Sequence, residues 1–159
     1  MQAESAIPEL PEPEPSMPER YAEGDRIRRE VLGDAHVNSL LSDWPPAKPL
    51  LDLITTYPWG SVWAREGLDR RTRSLLNLAL LTALNRPEEL RLNIHGALRN
   101  GCSVEEMAEV ALQCAAYAGA PAGIALMKAI HEVHKVHEVH KVQEGHEGHE
   151  VHKDRPEQN

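Results

Sequence analysis

The sixteen residues DRRTRSLLNLALLTAL, Asp69 to Leu84, decide the fold. Asp69 is of the type that caps a helix by accepting a backbone N–H. Leu75, Leu76, Leu78, Leu80 and Leu81 leave the following helix almost no polar face, which predicts a central, buried spine for the core. Downstream, Pro87 opens a second helix at the position where its missing N–H costs nothing, and Gly101 stands where a left-handed residue would close it. Ser103 with Glu106 forms a capping box for a third helix through Tyr117, along which Val104, Met107, Ala111 and Cys114 recur at helical spacing. Gly119 and Pro121 end that helix and start the last one, expected to run to about Val133. Upstream, Lys48–Tyr57 reads as a short apolar helix halted by Pro58, and Tyr21–Leu32 as a charged amphipathic helix closed by Gly33. Period-2 alternation and hairpin dipeptides are absent. The expectation is an all-α domain over residues 20–130, about six helices, whose leftover Leu and Ala surface favours a homo-oligomer.

The ends differ from this middle. Residues 1–19 carry five glutamates, five prolines and no base, and read as a disordered leader. Residues 131–159 hold seven of the nine histidines in a repeated HEVHKV, a low-complexity tail expected to be disordered. Of 17 bases and 25 acids in the chain, 13 of each fall within 20–130, so the core is neutral and lacks the dense Lys/Arg footprint of a nucleic-acid binder. No run approaches the ~18 apolar residues of a spanning helix, and no basic-then-apolar leader marks secretion. A cytoplasmic protein is expected. Cys102 and Cys114 are too far apart for a C-x-x-C redox pair and read as small core residues.

Three stretches together resemble the gamma-carboxymuconolactone decarboxylase family: YAEGDRIRREVLGDAHV (21–37), PWGSVWAREGLDRRTRSLLNLALLTALNR (58–86) and EELRLNIHGALRNGCSVEEMAEVALQCAAYAGAPAG (88–123). The resemblance implies an all-helical oligomer, trimer or hexamer, acting on a carboxylated unsaturated lactone of aromatic-acid catabolism in the β-ketoadipate pathway. Related alkylhydroperoxidase-type enzymes use paired thiols, whose positions here fall near Arg86 and Glu89, so a low-pKa thiolate and its resolving partner are both missing. Many decarboxylase members carry a His where this chain has Asn93, while His95 sits two residues later, about 200° around a helix. Ser61 and Glu66 likewise replace the family's usual Glu and Pro.

Decarboxylation of such a lactone needs no metal or organic cofactor, because the electrons left by CO2 spread into the lactone carbonyl; none is expected. The site must hold carboxylates, stabilise an oxyanion and supply a proton. Arg65 and Arg73 offer planar forks for carboxylates. Asn93 can donate to the lactone carbonyl, and His95 can move a proton, with Glu66 and Tyr117 as further donor candidates. Trp59 and Trp63 wall such a pocket or, being four apart, stack on each other. In the tail, His131, His134, His137 and His140 recur every three residues, so adjacent pairs are neighbours on a helix and offer adventitious metal binding. Two other readings stay open: a lactone hydrolase or isomerase in the same pocket, and a non-catalytic oligomer presenting a metal-binding tail.

Overall fold

A computed structural model describes residues 14–41 and 43–150, the stretch 138–150 as backbone only. The disorder expected for the leader at 1–13, the end of the tail at 151–159 and the side chain of His140 lie outside the described residues. Every regular element among the described residues is helical: α1 (Met17–Leu32), α2 (Asp34–Ser39), a 3₁₀ turn at Pro45–Ala47, α3 (Lys48–Ile54), a π-helical stretch (Thr55–Trp63), α4 (Arg70–Ala83), α5 (Pro87–Arg99), α6 (Val104–Ala118) and α7 (Ala120–Glu150). None of these helices is long and apolar enough to cross a membrane.

The caps follow local chemistry. Asp69 Oδ1 accepts from Thr72 N at 2.7 Å. Ser103 Oγ accepts from Glu106 N at 3.2 Å while Glu106 Oε2 accepts from Ser103 N at 2.9 Å, a reciprocal capping box. Gly33 and Gly101 take φ of +88° and +81°, where a Cβ would be strained.

Two cores result. Leu78, Ile94, Met107, Ala111, Leu126 and Ile130 join α4–α7, while Ile27, Val31, Val37, Trp59 and Trp63 join α1, α2 and the π-helical stretch. They meet where α1 crosses α5: Arg99 Nη1 donates to Val31 O at 3.0 Å.

Three expectations need correcting, and one further helix was not anticipated. First, α4 is not buried all round: Ser74, Leu78 and Thr82 face inward, but Leu76, Leu80 and Leu84 are 49%, 59% and 65% exposed in the single chain. Second, Pro58 does not halt the preceding helix. A proline ring collides with the carbonyl four residues back in an α-helix, and the chain avoids this by widening into π-helical turns through Trp63. Third, helix formation passes both tail boundaries: α1 starts at Met17, where the Glu19 carboxylate accepts from Ser16 N at 2.7 Å, and α7 continues beyond Val133 because residues 124–144 contain no glycine or proline. The further helix, α2 after Gly33, carried no apolar repeat long enough to register in the sequence.

Candidate active site

Gly24 of α1 and Gly60 of the π-helical stretch bring two backbones into direct contact. A Cβ on Gly24 would lie 2.1 Å from Thr55 O, and one on Gly60 would lie 2.0 Å from Arg20 O. That approach draws the next turn of α1 inward and buries Arg28, which is 4% exposed. Its Nη1 donates to Thr55 Oγ1 at 3.2 Å. Beside it α1, α2, the 3₁₀ turn and α3 enclose an open cavity of about 540 Å³, lined among others by Tyr21, Arg29, Val37, Trp44 and Lys48.

The charges of this cavity are unevenly matched. Arg29 is held by Asp25 at 2.7 Å and Asp34 at 3.1 Å, and Lys48 by Asp52 at 2.6 Å. Arg28 has no ion-pair partner among the described residues. Thr55 takes one of its five N–H donors, and no fully buried side-chain nitrogen among the described residues lacks a partner, so Nε and Nη2 are not sealed from the cavity that Arg28 lines. Burial lowers the Arg28 pKa from its ordinary value, partly offset by the charge of Asp25 and by Tyr21. A guanidinium nevertheless stays protonated at neutral pH. The result is a largely buried cation with donors still open to the cavity, chemistry that suits an anion such as a carboxylate.

The residues singled out by sequence are placed elsewhere. Trp59 and Trp63 are buried and face each other within the N-terminal core. Arg73 Nε donates to Leu68 O at 3.2 Å and its Nη2 to Arg65 O at 3.1 Å, so this guanidinium ties the 64–69 loop to α4. The side chains of Arg65 and Glu66 are exposed. Asn93 donates from Nδ2 to Glu89 O at 2.9 Å and accepts from Asn77 Nδ2 at 3.2 Å. His95 turns away from Asn93 into a cleft of about 140 Å³ with Leu98, Arg99 and His137. Burial pulls the His95 pKa down, reinforced by Arg99 and His137. Tyr117, at the end of α6, is 85% exposed. Arg65 is thus joined to Arg73 and His95 to His137, but none of the eight residues lines the Arg28 cavity.

Sequence reasoning missed Arg28, Thr55, Tyr21 and Lys48. A usable signal existed: Gly24 in mid-helix and Gly60 after Trp59 are the spacing of a close backbone approach.

Thiol chemistry finds no support, since Cys102 and Cys114 are both buried and burial raises both thiol pKa values. Among the described residues no group of three or more His, Cys, Asp or Glu is placed to hold a metal ion.

The model of the carboxymuconolactone decarboxylase family matches residues 48–132. The chain is 42% identical over 115 residues to the 4-carboxymuconolactone decarboxylase of Acinetobacter baylyi, covering 72% of this chain and 86% of that one. It is also 42% identical over 108 residues to the nitrosuccinic acid decarboxylase of Metarhizium robertsii, covering 67% of this chain and 76% of that one.

Proposed function

The chain belongs to the carboxymuconolactone decarboxylase family, and from that premise we propose that it is a carboxy-lyase acting on a small diacid whose leaving carboxylate adjoins an electron sink. The observation that carries this reading is its 42% identity to two proteins, both named as decarboxylases. The substrates in those names, a carboxylated muconolactone and nitrosuccinic acid, each bear two carboxylates and a group that can accept an electron pair. A carboxylated unsaturated lactone of aromatic-acid catabolism is the first choice here.

The reaction balances without an added reactant. The bond to the leaving carboxylate breaks, its electron pair moves through the ring double bond to the lactone carbonyl oxygen, and a proton then adds at carbon. The protein's tasks are to fix the acid, exclude water and supply that proton. Tyr21, which lines the Arg28 cavity, is a candidate proton source there, and His95 is a second from its separate cleft. Arg65, Arg73 and Asn93 remain proposed contacts for the substrate's oxygens, and they lie apart from that cavity in the single chain.

Self-association is part of the same proposal. Leu76 and Leu80 of α4 and its C-cap Leu84 form an exposed stripe at spacing four, and Leu112 of α6 is 60% exposed.

The test is to incubate the purified chain with 4-carboxymuconolactone and with nitrosuccinate while measuring released CO2 and the organic product. Stoichiometric CO2 with enol-lactone supports the lyase. Ring-opened product without CO2 indicates a lactone hydrolase, and no turnover of either acid overturns the proposal.

A further inference from the structure

Resting on that decarboxylase reading, we propose that Arg28, with Thr55, seats the carboxylate that stays on the substrate, and so selects diacids over monoacids. The matched rim cations leave one place in the cavity where an anion gains a partner without displacing an existing one. Arg29 and Lys48 already pair with Asp25, Asp34 and Asp52, whereas the Arg28 fork, though within the field of Asp25, has no carboxylate in ion-pair contact among the described residues. Asp43, exposed, also lines the cavity and adds no cation that would compete for an anion. Thr55 Oγ1 accepts from Arg28, which leaves its O–H to donate to the same carboxylate. A planar guanidinium gives two parallel N–H bonds, and burial strengthens the pairing.

Which carboxylate sits there follows from where charge moves. The leaving carboxylate loses its negative charge as CO2 forms, so an ion pair on it would stabilise the ground state more than the transition state and slow the step. The retained carboxylate keeps its charge throughout. Arg28 can therefore grip it at no cost to the barrier and use it to position the rest of the molecule in the cavity.

The experiment compares the wild-type chain with Arg28→Gln, Arg28→Lys and Thr55→Val. Turnover is measured on 4-carboxymuconolactone and on its monoester blocked at the retained carboxylate. The wild type should lose about 10- to 100-fold in kcat/KM on esterification, as expected for hydrogen bonds to a charged group. Arg28→Gln should lose a similar factor on the diacid, mainly through KM, and should no longer distinguish acid from ester. Thr55→Val should show a smaller loss in the same direction. Arg28→Lys, which keeps the charge without the fork, should raise KM, and it carries the test if Arg28→Gln melts early by circular dichroism. Unchanged acid-over-ester preference in the folded variants overturns the assignment while leaving the lyase intact. A calorimetric titration with succinate separates the two claims. If wild type turns over neither acid, the lyase reading fails, yet succinate binding that Arg28→Gln abolishes still supports the seat, and equal binding by both removes it.

Discussion

The ring centroids of Trp59 and Trp63 lie 4.8 Å apart with their planes inclined by 32°, inside the core that α1 shares with the π-helical stretch. The pair shares a buried cluster with Val37, which also lines the Arg28 cavity. Trp63→Ala should cost about 3–5 kcal/mol of stability, and denaturant titration will measure it. The fraction still folded should keep its KM; a large KM change without loss of stability would make the indole a substrate contact instead.

Gly60→Ala places a methyl 2.0 Å from Arg20 O, which neither backbone can avoid without moving. We expect a loss at or above the top of the ~1–3 kcal/mol range for overpacking. Activity should fall with it, because the same displacement draws Thr55 off Arg28. A melting temperature equal to wild type would show that the α1 seam is looser than its geometry.

The double variant Cys102→Ala, Cys114→Ala should retain turnover, with a packing loss of the order of 1 kcal/mol. Burial raises both thiol pKa values, so at pH 7 both are protonated and should react slowly with iodoacetamide in the folded chain. Rapid alkylation that abolishes activity would return thiol chemistry to consideration.

Stability should decline as the solution is acidified through the histidine range. The folded-state pKa of His95 is held below the ordinary 6.5 by burial, Arg99 and His137, and that of His36 by burial and Arg28. Between the folded and unfolded values the unfolded chain binds more protons, so stability present above about pH 6.5 is lost as pH falls through the folded pKa. Melting temperature followed from pH 7.5 to 5 will show this. His95→Gln should flatten the slope, and an unchanged slope would assign the effect to other groups.

Light scattering should find a closed homo-oligomer at micromolar concentration, and Leu80→Glu, in the middle of the exposed α4 stripe, should shift it toward smaller species. A monomeric wild type would mean that the leucine stripe serves another purpose.

What could be read from sequence divides along the range of the forces involved. Asp69, Ser103 with Glu106, Gly33 and Gly101 announce helix ends because their chemistry is satisfied within a few residues. Pro58 misled because its local penalty is absorbed by a change of helix type in a segment packed against α1. Arg28 was hidden for a similar reason. In the run RIRRE it looks like one more cation on a solvated face, and only the Gly24–Gly60 contact, 36 residues apart, turns it inward. The leucine run was read correctly as apolar but wrongly as enclosed: periodicity records how much apolar surface a helix carries, and says nothing about whether its own chain or another copy covers it.

The π-helical turns also bear on how the molecule opens. A widened ladder has little standing without the helix laid against it, and Thr55–Trp63 is steadied by hydrogen bonds from Arg20 and Arg28 of α1 and by the close backbone approach of Gly24. Release of α1 should therefore free that stretch to rewind, and hydrogen exchange should find the two segments opening as one unit while the α4–α7 bundle stays protected. The Arg28 cavity is built on this unit, so a diacid seated there should be legible as slowed deuterium uptake along the whole of α1.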